Sequence, residues 1–598
     1  MVKISLCMIV KNEEKYIEQC LRSVSSLVDE IIIVDTGSTD NTIELAKQFN
    51  PKVYQYPWEN DFGKARNYSL AQATGQWILV LDADEALYLE DIQKLRGILK
   101  KTKANGIGLK FHNFIDEDSE ENYNTHVGVR IFKNHYFHYD GVIHEQLVPN
   151  RKAIVINLET TDVRVRHYGY LKSNAGKKKR ERNVPMIQKL LDQNPDDSFQ
   201  LFNMGNEYMS DENYAKALYY FDKAYKNKDT SLAYCPHLIF RRAVCLNILN
   251  KDDESLLTLG EGIMLYPKCT DYEYLRGRIY KAHKQYSLAI ASFEKCIAIG
   301  AAPPNLTFLS DTDGFRAYIE LGHIYFLQDD FVNALSYYLK AVSIKSSHYE
   351  LIYKIGAILN KLYLDKNMVA INLENLFADK YYINNVLVMV DILLNERLYK
   401  QAETYYARIQ DKQGFLDDIH WLKGRILFYQ KEYEKALDEF IKVLNSSSDK
   451  YLLPDVKRRS LEYAVICHLV AKQKGILGCQ KEKVTHFIDT LSDISEQRIL
   501  QYFVDKIDVT FECDEKTAIY RVLSEMLQIE AFELFEESLQ ILNRINSNEV
   551  LLDLANIYYV NGYKELAIKN IIRSMKELDV INANAVLILN KEFLLPEQ

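Results

Sequence analysis

Apolar runs and helical stripes alternate through the first ~170 residues, and helical stripes alone follow. Ile4–Val10 is a short apolar run that predicts a buried strand. Asn12 is placed to cap a following helix whose inner face would be Ile17, Cys20, Leu21 and Val24. Glu30–Asp35 is a second β-branched run, ending in the capping-rich turn Thr36–Asp40 and then a helix through Phe49. Val53–Tyr56 predicts a third strand, Phe62–Ala73 a helix, and Trp77–Leu81 a fourth strand. Continuous apolar strands separated by helices imply a parallel sheet covered on both faces. Ligands of such sheets sit at the carboxyl ends of the strands, where Asp35 and Asp82 both fall.

From about residue 195 onward the period is purely helical, and an internal repeat accounts for it. A small residue, an aromatic three positions later and alanine twelve positions later recur as Gly205, Tyr208 and Ala217, then Gly277, Tyr280 and Ala289, then Gly322, Tyr325 and Ala334. Gly424, Ala436 and Phe440 form a weaker copy, as do Ala555, Tyr558 and Ala567; Ala243, Leu246 and Pro267 fit a degenerate one. These units resemble tetratricopeptide (TPR) repeats, in which small residues let two antiparallel helices approach and aromatics fill the gap. Stacked, they form a solenoid with a concave face. The alternative is a generic helical bundle. The expected organisation is an α/β domain over 1–170, a basic linker and helix over 171–194 containing Ser173–Arg182, TPR-like repeats over 195–445, and a helical region over 446–598 with one degenerate unit.

Composition narrows the class of protein. The 598 residues are 47% hydrophobic and 26% charged, ordinary globular values, with a net charge of −9. That mild acidity argues against a general nucleic-acid binder, which needs a basic surface. The nine cysteines contain no CxxC pair, so reduced thiols in a cytoplasmic protein are expected, not a disulfide framework or a zinc site. The N-terminal apolar stretch is interrupted by Lys11, too early for a signal peptide. No window approaches ~20 uninterrupted apolar residues, so no membrane span is expected.

Asp82-Ala83-Asp84, after the fourth strand, is the sharpest chemical signal. Alternate residues of an extended turn point to one side, so both carboxylates can hold a hard divalent cation, with substrate phosphates and water completing its shell. The competing interpretation makes Asp84 the cap of a helix beginning at Glu85. Asp35 either receives a base N–H or ribose hydroxyl, or simply caps the next helix. Arg66 either reaches a diphosphate or forms a surface ion pair. The Ser173–Arg182 charge run is either a solvated face or a grip on phosphate. Six of the 13 histidines lie between 112 and 167. Glu145, beside His144 after the Asp140-Gly141 turn, is a candidate general base. His167 is a candidate third metal ligand through nitrogen, which would suit Mn²⁺.

Together, SLCMIVKNEE, EIIIVDTGSTDNT, WENDFGKARN, WILVLDADE and FHYDGVIHE, with the late His167, resemble a family 2 glycosyltransferase of the GT-A fold across roughly residues 1–170. Followed by TPR-like helices, the chain is similar to sublancin-type bacterial peptide S-glycosyltransferases, whose peptide products include bacteriocins. Its N-terminal text also resembles lipopolysaccharide-core glucosyltransferases. The resemblance implies a Rossmann-like domain followed by an all-α solenoid. It implies inverting transfer from a nucleotide-diphospho-sugar, usually a UDP-sugar, with Mg²⁺ or Mn²⁺. By motif match, Asp35 would bind the nucleotide, with Asn12 near the base. Asp82 and Asp84 would form the DxD pair, with Asp84 the direct metal ligand. Glu145 would act as base, and His167 would lie near the metal or diphosphate. Many relatives carry two consecutive acids where this chain has Asp35-Thr36, and many use Asp as base.

A solenoid groove suits an extended peptide or protein acceptor. Two alternatives stand beside that expectation: a polysaccharide or lipid-linked acceptor, and a TPR scaffold with an inactive transferase domain. A homodimer through the solenoid is compatible with the sequence and not determined by it.

Overall fold

A computed structural model describes residues 2–114, 123–151, 154–169, 171, 177–346, 348–377, 382–409, 414–448, 450–475 and 481–593. The 173–176 portion of the linker and Cys479 lie outside the described residues. The chain divides into two compact units, 1–344 and 345–598.

The first unit opens with strand β1 (Ile4–Val10), helix α1 (Ile17–Val24), β2 (Glu30–Asp35), α2 (Thr42–Lys47), β3 (Lys52–Gln55), α3 (Phe62–Ala71) and β4 (Trp77–Val80). These run as the sequence pattern predicts, and β3, β2, β1 and β4 pair in parallel. Alternate side chains serve opposite faces. Leu6, Met8, Ile31, Ile33 and Leu79 face a core shared with Ile17, Cys20, Leu21 and Val24 of α1. Cys7, Ile32, Val34, Ile78 and Val80 face the other core, against Tyr68 and Leu70 of α3. Each fully buried aliphatic side chain here contributes roughly 1.5–3 kcal/mol.

The sheet is not wholly parallel, a correction to the expectation from its first four strands. After β5 (Glu85–Leu87) and α4 (Ile92–Lys101) come β6 (Gly106–Phe114), β7 (Tyr123–Lys133), β8 (Phe137–Asp140), β9 (Gln146–Pro149) and β10 (Leu158–His167). The order is β3-β2-β1-β4-β7-β6-β10-β5, with β7 antiparallel to both β4 and β6 and β10 parallel to β6. β8 and β9 form a separate hairpin. The 85–87 segment is a strand, so Asp84 does not cap a helix there. Nor does Asn12 cap α1, whose N-cap is Tyr16; Asn12 adopts a left-handed conformation instead (φ 55°).

Helix α5 (Lys177–Gln193) leads into the paired helices α6 (Ser198–Ser210) and α7 (Tyr214–Lys226), α8 (Cys235–Ile248) and α9 (Asp252–Leu265), α10 (Thr270–Ala282) and α11 (Tyr286–Ile299), and α12 (Phe315–Leu327) and α13 (Phe331–Ile344). The recurrent glycines mark the close approaches. A Cβ built on Gly205 would lie 2.4 Å from Phe221, one on Gly277 2.8 Å from Phe293, and one on Gly322 2.5 Å from Tyr338. Gly322→Ala is expected to lower stability by about 1–3 kcal/mol despite its better helix propensity, because the buried Tyr338 ring must move. A urea midpoint at or above that of the parent would contradict this. The second unit is helical; its Leu416–Tyr429 and Tyr433–Leu444 pair repeats the device, with a Cβ on Gly424 falling 2.5 Å from Phe440.

Candidate active site

Two sequence motifs far apart in the chain are locked together where α3 meets the β8–β9 hairpin. The β8–β9 hairpin presents the loop 141–145, which turns on Gly141 (φ 106°) and a left-handed His144 (φ 53°). The amino end of α3 docks against it: Phe62 N–H donates to Val142 O at 2.8 Å. A Cβ on Gly63 would stand 2.5 Å from Gly141 O, so only glycine permits this approach. Asn67 clamps β8 from both sides, with Nδ2 donating to Tyr139 O and Oδ1 accepting from Tyr139 N, each at 2.8 Å. Ile143 is buried in the core formed by Met186, Ile187, Leu201 and Phe221, so the first helices of the repeat region brace the loop. The result sets Arg66 beside Glu145.

Arg66 bridges two acids. Its Nε donates to Glu145 Oε1 at 2.5 Å and its Nη2 to Asp82 Oδ1 at 2.8 Å. Its remaining terminal nitrogen, Nη1, is buried and has no hydrogen-bond partner among the described residues. Burial opposes the Arg66 charge, but the two carboxylates hold it firmly protonated. Arg130 closes the network, with Nη2 2.5 Å from Glu85 Oε1 and 3.4 Å from Asp82 Oδ2. Burial alone would raise the Asp82 carboxyl; Arg66 and Arg130 hold it well below the usual carboxylate range. Burial pushes Glu85 up to about 7, against the pull of Arg130. Glu85 and Arg130 were not singled out by sequence reasoning; Glu85 directly follows the DxD but carried no spacing signal of its own.

Asp84 and His167 face each other, with His167 Nε2 3.8 Å from Asp84 Oδ1. The antiparallel pairing of His167 with Glu85 in β10 and β5 sets that juxtaposition. A Cβ on Gly169 would fall 2.6 Å from His167 Nε2 and 2.7 Å from Asp84 Oδ2, filling the space between them. A carboxylate oxygen and an imidazole nitrogen around a small open cradle fit Mg²⁺ or Mn²⁺, with Mn²⁺ favoured by the nitrogen. Among the described residues no group of three or more His, Cys, Asp or Glu forms a metal-holding set, so most of the cation's shell would come from substrate and water. Gly169→Ala is therefore expected to weaken Mn²⁺ binding at least 10-fold by calorimetry, and unchanged affinity would take the cation out of this cradle.

A cavity of about 280 Å³ opens at the carboxyl ends of β1, β2 and β4, lined by Arg66, Asp82, Asp84 and His167 together with Thr36 and Arg182. The other predicted site residues, Asp35, Asn12 and Glu145, do not line it. Asp35 is buried, its Oδ1 accepting from Ser38 N at 2.9 Å and its Oδ2 from Gln55 Nε2 at 3.0 Å. Asn12 Oδ1 accepts from Thr39 N at 2.7 Å. Both therefore hold the 36–40 turn, whose Thr36 lines the cavity. Glu145 lies behind Arg66, 12% exposed. Arg182 on α5 stacks its guanidinium 4.8 Å from the Phe62 ring.

Comparison with known proteins identifies the family. The Glycosyl transferase family 2 model matches residues 5–155, and the Tetratricopeptide repeat model matches 274–299 and 315–348. A TPR repeat-containing protein of Synechococcus elongatus is 48% identical over 104 residues, 17% of this chain and 26% of the relative. The chain thus spans about a quarter of that relative's length. The SPbeta prophage-derived glycosyltransferase SunS of Bacillus subtilis is 30% identical over 293 residues, 48% of this chain and 68% of SunS. Glucosyl-3-phosphoglycerate synthase from Mycobacterium tuberculosis, solved with Mn²⁺ and UDP, is 28% identical over 18% of this chain and 44% of that one, with a TM-score of 0.17. The relationship to SunS, over two thirds of its length, and the domain match together establish that the chain belongs to the family 2 glycosyltransferases, with tetratricopeptide repeats following the transferase domain.

Proposed function

We propose that the chain transfers a sugar, with inversion, from a nucleotide-diphospho-sugar to a side chain of a peptide or protein. A UDP-sugar is the donor we favour, as membership of the family 2 glycosyltransferases suggests. The observation that carries the proposal is a single crevice in which an Asp84–His167 pair stands beside a buried, unpartnered arginine nitrogen, Arg66 Nη1.

Breaking a sugar–phosphate bond leaves charge on the diphosphate, and the crevice offers cationic groups to meet it. Arg66 Nη1 is a preorganised donor with no partner among the described residues. Arg182 adds a second guanidinium on the same wall, giving the basic linker helix a role in gripping phosphate. Asp84 and His167 would hold the Mg²⁺ or Mn²⁺, which supplies Lewis-acid stabilisation of the leaving diphosphate when bound. Asp82, neutralised by two arginines, orients Arg66 and lines the donor side. Asp35 and Asn12 shape the nucleotide wall by fixing the 36–40 turn. Glu145 is the proposed base that takes the acceptor proton. Its hydrogen bond to Arg66 couples the base to the donor side of the site.

Residues 1–170 would form the catalytic domain, with 195–445 recruiting the acceptor along the repeat surface. The test is a panel of nucleotide-sugars with Mn²⁺ and a co-expressed candidate peptide, read by mass spectrometry. A hexose-sized gain on the peptide is expected. A gain on a glycan instead would move the acceptor class, and failure to bind or hydrolyse any donor would refute the proposal.

A further inference from the structure

The cradle beside Asp84 needs a particular form of His167, and the sheet holds a residue that selects it. A neutral imidazole carries one proton on Nδ1 or on Nε2, and only a bare Nε2 can ligate through that atom. His167 lies on β10 in register with Asn113 of β6, and Asn113 pairs on its other side with Asn124 of β7. Asn113 is buried between the two neighbouring strands. Its Oδ1 lies 2.8 Å from His167 Nδ1 and its Nδ2 lies 2.8 Å from His126 Nδ1.

The amide makes this chain directional. An amide oxygen only accepts, so His167 Nδ1 must carry the proton. An amide nitrogen only donates, so His126 Nδ1 must be bare. Burial pushes His126 down to about 4, which keeps it neutral and able to accept near neutral pH. His126 also stacks on Phe111, with ring centroids 4.6 Å apart, which fixes its ring plane. With the proton on Nδ1, the His167 Nε2, 3.8 Å from Asp84 Oδ1, carries the lone pair.

The geometry points to Asn113 as a positioning residue, held by His126, that locks His167 in the tautomer with its Nε2 lone pair turned to the metal cradle. The inference rests on the proposed function for its metal, but the tautomer is a property of the protein alone. Residues that orient a ligating histidine through its second nitrogen typically change metal affinity 10–100-fold when removed.

The full chain, labelled with ¹⁵N-histidine and metal-free at pH 8, provides the test. Two-bond ¹H–¹⁵N correlations report the tautomer, with the His167 signals assigned by their loss in His167→Gln. The expected pattern is Nδ1–H; an Nε2–H pattern or an equal mixture overturns the inference. Asn113→Leu should release the tautomer and weaken Mn²⁺ binding, followed by electron paramagnetic resonance titration, 10–100-fold, whereas Asn113→Asp should preserve both. His126→Phe keeps the stacking on Phe111 but removes the acceptor that orients the amide. It should yield mixed tautomers, and so decides the matter if Asn113→Leu does not fold. A fixed Nδ1–H tautomer in His126→Phe and in a folded Asn113→Leu overturns the inference. Absence of Mn²⁺ binding by the parent protein would refute the metal in the proposed function, while the tautomer spectra still decide the role of Asn113.

Discussion

Arg66→Ala is expected to cost about 3–5 kcal/mol of folding stability and to remove sugar transfer. The size follows from what the deletion strands. Arg66 is 8% exposed and bonds Glu145, 12% exposed, and Asp82, 35% exposed. Losing one partner of a buried ion pair leaves the others uncompensated, which costs more than the pair itself contributes. Arg130 continues to pair with Asp82, so the greater part of the loss falls on Glu145, for which Arg66 is the only ion-pair partner among the described residues. Arg66→Lys should recover part of the stability and little of the activity, because an ammonium cannot span both acids and still present a free donor to phosphate. Urea unfolding and donor turnover measure the two effects separately. A loss below 1 kcal/mol with activity retained would mean that the bridge is incidental.

Asp84→Ala is expected to lower turnover by at least ~10²–10³-fold, the scale on which loss of one preorganised charge-stabilising element acts. It should do so at a smaller cost in stability than Arg66→Ala, since the side chain lines the cavity and removes no guanidinium bridge between acids. That contrast with Arg66 is the useful part: one residue holds three elements together as well as serving the chemistry, the other serves chiefly the chemistry. Added Mn²⁺ should raise the thermal midpoint of the parent through ligand linkage and leave that of Asp84→Ala unmoved. Turnover by Asp84→Ala at the parental rate would take the DxD out of the mechanism.

The parallel half of the first sheet was legible because its strands are buried on both faces and read as unbroken apolar runs. The repeats were legible because a glycine facing an aromatic ring is a steric requirement that recurs at fixed spacing, as Gly205 with Phe221 and Gly322 with Tyr338 show. The second half of the sheet was not. β7 turns antiparallel after a long excursion, and local pattern carries no information on which neighbour a strand will choose. Asn12 misled for a related reason. Its side chain has capping chemistry, but the left-handed backbone sends it to the 36–40 turn instead of to α1.

The site divides the same way. The sequence by itself determined which residue types were available and where along the strands and helices they fell: the DxD after β4, Asp35 at the end of β2, an arginine within α3, and the late His167. Only the tertiary structure decided their partners. Arg66 meets Glu145 across 79 positions and His167 meets Asn113 across 54, distances at which neither periodicity nor spacing constrains contact. Such pairings are settled by register between strands and by the close approach that Gly63 allows, and both depend on the assembled backbone.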